Sequence, residues 1–144
     1  MTGARVSILG HSLGGITAFD ASCSTVPPLW IKHLVTFGSQ SAVLHILDPR
    51  QDIILKRLDE GIESLDPFRP GDKTVLPPTI GSWLSIWHAM DPLAFLAGKV
   101  FKLHGGSDVL DHRIEGQERR WSQAHSSYWW HSEMPGLVAG ALAG

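Results

Sequence analysis

Apolar residues along this chain gather in short runs separated by Gly, Pro and polar clusters, and no long two-residue alternation is present. Residues 5–9, 34–37 and 83–87 are compact, mainly apolar runs, the pattern of strands covered on both faces of a parallel sheet. Between the first two, Ile16, Phe19 and Cys23 recur at i, i+3 and i+7. That spacing predicts a helix over residues 13–23 with those three on one face, ended before Pro27 and Pro28. Residues 52–62 form a second helical candidate, carrying Ile54, Leu55, Leu58 and Ile62 on one side and Gly61 near its end. Residues 65–78 hold Pro67, Pro70, Gly71, Pro77 and Pro78 and read as mostly loop. Residues 95–103 suit a short turn and an extended piece, and the polar run 107–112 after Gly105 and Gly106 reads as loop. A last helix over residues 133–142 follows from Ser132 as N-cap with Glu133 and Pro135 in its first turn. Strand, helix, strand and helix in this order predict an α/β fold.

The chemistry enters at the first strand. Gly10-His11-Ser12-Leu13-Gly14 stands directly after it and directly before the first helix, where Gly-x-Ser-x-Gly makes a nucleophile elbow. In such a turn the serine Oγ is exposed, and glycine two positions either side leaves room for the backbone; an ordinary Gly-Ser turn uses the same residue types. A serine hydroxyl becomes a useful nucleophile when an imidazole takes its proton and a carboxylate orients that imidazole. Among eight histidines, His125 lies late in the chain in a small polar loop between Ala124 and Ser126, with His131 as the rival and an exposed loop histidine as the plain reading. Tyr128, Trp129 and Trp130 behind it read first as packing groups. For the acid, Asp91 follows the run 83–87 and precedes Pro92, which favours an extended or turn geometry; Asp108 and Asp111 are the alternatives, and an Asx turn is the structural use of the same residue.

The residues from Val6 to Gly15, with an aspartate and a histidine following in the order Ser, Asp, His, resemble the α/β-hydrolase superfamily, and within it serine esterases and lipases. The segments His33-Leu34-Val35-Thr36-Phe37-Gly38-Ser39 and Ala124-His125-Ser126-Ser127-Tyr128-Trp129 are similar to the strand after the elbow helix and to the histidine loop. The resemblance implies a single domain over residues 1–144, corresponding to the C-terminal part of that fold: a truncated parallel sheet of three or four strands with flanking helices. It implies Ser12 as nucleophile, His125 as base, Asp91 as acid and the Leu13 backbone N–H in the oxyanion hole, acting on a small-molecule ester or lipid. In that family several strands precede the elbow, and one of them leads to the second oxyanion donor. Here nine residues precede Gly10, so the expectation is a fragment, or a reading frame begun too late. The strand over residues 5–9 becomes an open edge through which chains can self-associate. Thioesters, amides and acyl transfer suit the same triad, and a catalytically silent form would bind an acyl ligand or a partner.

Composition narrows this further. Hydrophobic residues make up 43% and charged residues 18% of the 144, a globular balance with enough chain for a real core. Net charge is −2 and the twelve Lys and Arg are scattered, so no nucleic acid is expected as partner. The single cysteine, Cys23, excludes an internal disulfide and suits a reducing, cytoplasmic setting, and it reads as a buried, inert thiol on the first helix. No signal peptide or membrane-spanning run is legible. His104, Asp108, Asp111 and His112 cluster within nine residues, yet their spacing fits no metal signature, and no phosphate-binding glycine loop is present. The expectation is therefore an enzyme without metal or organic cofactor.

Overall fold

Strands and helices alternate in the computed structural model, which describes residues 6–47, 73–116 and 120–144. The first unit is β1 (Val6–His11), α1 (Leu13–Cys23) and β2 (Ile31–Phe37). It continues through α2 (Ser41–Leu47), β3 (Thr74–Val75), β4 (Ile80–His88), α3 (Ala97–Val100), β5 (Phe101–Lys102) and β6 (Leu110–Ile114). A closing layer consists of α4 (Trp121–Ser127), a 3₁₀ turn (Tyr128–Trp130) and α5 (Met134–Ala143). Among the described residues the main sheet has four strands in the order β1-β2-β4-β6, every neighbouring pair parallel. The fold is α/β. β3 and β5 form a separate two-stranded parallel sheet.

Because all four strands run the same way, their C-terminal ends share one edge of the sheet, with His11 opposite Phe37, Phe37 opposite Ile86 and Ile86 opposite His112. Each side of the sheet carries its own core. On one, Phe19, Cys23, Ala42, Ala97 and Phe101 from α1, α2, α3 and β5 pack against Leu34, Ile80 and Trp83. The other side joins Val35, Phe37, Ile86 and Ile114 to Tyr128, Met134, Leu137 and Val138. This double cover is why six of the seven residues of β2 are buried. Trp83 is 2% exposed, and its indole N–H donates to the Thr36 hydroxyl at 2.8 Å, so its polar tip is satisfied inside the core.

Several expectations are refined by the structure. The strand predicted over 34–37 spans Ile31–Phe37, and that over 83–87 spans Ile80–His88. The strand begun at residue 5 is described from Val6 and runs through His11. Helix α1 has the predicted limits, but its buried face is Gly15, Ala18, Phe19, Ser22 and Cys23, with Ile16 half-buried. Small residues turn inward because the helix lies close on β2: a Cβ on Gly15 would stand 2.6 Å from the Ser39 Oγ and 3.1 Å from Thr36 Cγ2. The run 107–112, expected as loop, contains the start of β6. That strand is polar because it is an edge: Leu110 is 63% exposed and only Ile114 of its five residues is buried. The last helix is present as Met134–Ala143, with Glu133 rather than Ser132 at the N-cap position and no side-chain cap hydrogen bond. The Met134 N–H donates to the His131 carbonyl there, with Pro135 in the first turn. The helix expected over 52–62 lies outside the described residues, as does most of the loop 65–78, of which residues 74–75 form β3.

Among the described strands β1 pairs on one side only, with β2, and Val6 and Leu9 on it are 40% and 46% exposed. Beside it a groove of about 420 Å³ runs between Leu9 and Phe37 on the sheet and Met134, Val138 and Leu142 of α5. Among the described residues no helix is long and apolar enough to cross a membrane.

Candidate active site

Ser12 sits between the last residue of β1 and the first of α1, with φ 52° and ψ −122°, and it is the one described non-glycine residue at positive φ. A side chain in that region is strained, and the surrounding hydrogen bonds hold it: the Ser12 N–H donates to the Phe37 carbonyl at 3.0 Å, and its own carbonyl accepts from the Gly15 N–H at 3.0 Å. The turn is tight enough that a Cβ on Gly10 would stand 2.7 Å from Gly15 Cα and N. Gly14 differs from the sequence expectation, since a Cβ there meets nothing within 4 Å outside its own helix. The steric need for a second glycine falls on Gly15.

The other two predicted residues arrive from the ends of later elements. Asp91 follows β4, its N–H donating to the His88 carbonyl at 3.0 Å in a turn that lifts its carboxylate over the sheet edge. His125 lies in α4 rather than in an open loop, because Trp121–Ser127 is helical. The structure brings all three together. His125 Nε2 is 3.0 Å from Ser12 Oγ, and His125 Nδ1 is 2.9 Å and 3.1 Å from the two carboxylate oxygens of Asp91. A carboxylate only accepts, so Nδ1 carries the proton and Nε2 is left to accept from the serine hydroxyl.

The Asp91 carboxylate is wholly buried, while the His125 side chain keeps 18% exposure. A buried charge requires donors, and Asp91 has three. Besides His125, the Tyr128 hydroxyl donates to Oδ2 at 2.9 Å and the Leu93 N–H donates to Oδ1 at 3.0 Å. Burial first, and then the charge and hydrogen bond of Asp91, push the Tyr128 phenol far above its usual range, so it stays protonated and remains a donor. Gly38, at φ 59°, closes the turn after β2 directly beneath this group: a Cβ on it would lie 2.9 Å from Tyr128 Cε2, 3.0 Å from Asp91 Oδ2 and 3.2 Å from His125 Nδ1. The parts played here by Leu93, Gly38 and the Tyr128 hydroxyl escaped the sequence reading, which took Tyr128 as a packing group, and it does pack in the core with Phe37. The available signals were the three-residue helical offset of Tyr128 from His125 and the single glycine closing the strand at Phe37.

No family model, curated protein or solved structure matches the chain.

The rival residues are engaged elsewhere. Asp108 makes an exposed ion pair with Lys73 at 2.7 Å, and that hydrogen bond and charge lower its carboxyl from the usual range. Asp111 accepts from the Gly98 N–H at 3.1 Å, and partial burial raises its carboxyl above the ordinary value. His131 Nε2 is 2.6 Å from the Glu115 carbonyl, and His112 Nε2 is 3.5 Å from Glu133. Asp108, Asp111 and His112 of the cluster thus have separate partners, and among the described residues no group of three or more His, Cys, Asp or Glu is placed to hold a metal ion. Leu13 opens α1, where the first four backbone N–H groups of a helix have no partner within it.

Proposed function

We propose that this chain is a serine hydrolase of the α/β-hydrolase type that cleaves carboxylic esters through an acyl-enzyme. The observation that carries the reading is the single imidazole of His125, 3.0 Å from Ser12 Oγ on one nitrogen and 2.9 Å from Asp91 on the other. In the proposed reaction Ser12 Oγ attacks the acyl carbon while His125 Nε2 takes its proton, and Asp91 stabilises the imidazolium that forms. The tetrahedral oxyanion is met by the Leu13 N–H at the positive end of α1. The imidazolium returns its proton to the departing alcohol. Water, deprotonated by the same Nε2, then attacks the acyl carbon, and as the bond to Ser12 Oγ breaks the imidazolium returns the proton to that oxygen, releasing Ser12 and the carboxylic acid. No step calls for a metal or organic cofactor.

Small-molecule esters or lipids are the proposed substrate class, since every catalytic group stands at the open C-terminal edge of the sheet, where ligands of parallel α/β sheets bind. Thioester or amide cleavage and acyl transfer use the same groups, so the ester reading rests on the esterase and lipase resemblance. A cytoplasmic location belongs to the same proposal, supported by Cys23 being the single cysteine of the sequence, which excludes an internal disulfide. The test is hydrolysis of p-nitrophenyl acetate and longer p-nitrophenyl esters by wild type and Ser12→Ala, each checked for folding by circular dichroism. Turnover by wild type with none above a protein-free control for Ser12→Ala is the expected result. Equal turnover by the two proteins overturns the assignment of Ser12.

A further inference from the structure

We infer that His11 is a positioning residue for the proposed reaction, tying the backbone of the base to the strand that presents the nucleophile. The inference rests on the triad reading above. His11 ends β1 one residue before Ser12, and its Nε2 lies 2.7 Å from the main-chain oxygen of His125, 114 residues further along the chain. A carbonyl only accepts, so Nε2 carries the hydrogen and donates.

The bond matters because of where that carbonyl stands. His125 is in the last turn of α4, where carbonyls have no partner in their own helix. A seven-residue helix is too short to hold its own end, and that end is pinned by tertiary contacts: Tyr128, directly after it, is wholly buried and donates to Asp91, and the preceding carbonyl, of Ala124, accepts from the Ser127 hydroxyl at 2.9 Å. The His11 ring is itself held by packing. Its centroid is 5.3 Å from that of Phe37 in a stacked arrangement and 5.5 Å from Trp129 edge-on, and it lies 4.8 Å from the His125 ring. Imidazole reach, a donor and a flat ring are all used at one position. The Asp91–His125 contact fixes how the imidazole is turned, and the His11 bond fixes where its backbone stands relative to Ser12. Together they set the 3.0 Å gap across which the proton passes.

The variants His11→Phe and His11→Gln separate donor from packing. Phenylalanine keeps the flat ring and loses the donor, whereas glutamine keeps an N–H donor at similar reach. Three readouts are compared with wild type: the second-order rate of Ser12 labelling by a fluorophosphonate, kcat and KM on a p-nitrophenyl ester, and the proton NMR signal of the His125 Nδ1–H. His11→Phe should slow labelling and lower kcat about tenfold or more with KM little changed, and should shift or broaden the Nδ1 proton signal; His11→Gln should recover most of each. A His11→Phe protein that is folded, labels at the wild-type rate and keeps the wild-type proton signal overturns the inference. So does a folded His11→Gln no better than His11→Phe. If wild type shows the Nδ1 signal and His11→Phe alters it while neither protein labels, the clamp stands and the hydrolase reading falls.

Discussion

At the scale of single residues, the three candidate catalytic side chains do unequal work, and their substitutions should rank accordingly. His125→Ala leaves Ser12 with nothing to take its proton and should lower kcat by about 10⁶, close to the effect of Ser12→Ala, because members of a triad act as a unit. Asp91→Asn keeps an acceptor for the Tyr128 hydroxyl but puts an amide against His125 Nδ1, and should lower kcat by about 10⁴. Steady-state kinetics on one p-nitrophenyl ester checks the order, and an Asp91→Asn protein as active as wild type would remove Asp91 from its role. Much of this site was legible in the sequence because each residue carries a local signal: a glycine-flanked serine after a strand, an aspartate before proline at a strand end, a histidine late in the chain. His11 and Tyr128 gave none that is specific. Their work is a contact with a residue 114 or 37 positions away, which no local pattern records.

At the scale of elements, the elbow's glycines make a sharp contrast. Gly14 has open space around its missing Cβ, so Gly14→Ala should preserve labelling of Ser12 and stabilise α1 by up to about 1 kcal/mol, the helical preference of Ala over Gly. Gly38→Ala places a methyl among Asp91, Tyr128 and His125 and forces positive φ on a side chain, so labelling should fall at least tenfold and Tm should drop. Thermal melts beside a labelling time course check both. Asp111 carries a pH effect of the less usual sign. Its folded carboxyl titrates above the ordinary 3.8, chiefly through burial, so the folded chain holds that proton to higher pH than the unfolded one. Its contribution is therefore most favourable below 3.8 and is lost as pH rises through the raised folded value. Asp111→Asn removes the titration, so the Tm of the variant minus that of wild type should grow as pH rises through this window and then level off. A flat difference contradicts it. β6, to which Asp111 belongs, was hidden from the sequence pattern because one face of an edge strand is wet and its Asp-His-Arg core reads as loop; the buried strands β2 and β4 were plain for the opposite reason.

At the scale of the whole molecule, the described sheet has a closed interior and an open flank. β1 carries Ser12 at its end, yet along its free side its backbone N–H and C=O groups pair with no described strand, and Leu9 opens onto the apolar groove against α5. Unpaired edges and exposed apolar surface drive association, so the purified chain is expected to sediment as dimers or larger species at tens of micromolar. Leu9→Lys, which puts a charge in that groove, should shift it toward monomer. A wild-type chain that stays monomeric at that concentration contradicts the expectation.

The central claim is that Ser12 is an activated nucleophile, and covalent capture tests it most directly. Wild-type chain is treated with a fluorophosphonate, digested, and the modified residue located by peptide mass spectrometry, with His125→Ala treated in parallel. A single adduct on Ser12 in wild type, absent or strongly slowed in His125→Ala, is the result the account predicts. An unmodified Ser12 in a folded sample, or labelling of Ser12 at the same rate in both proteins, would contradict it.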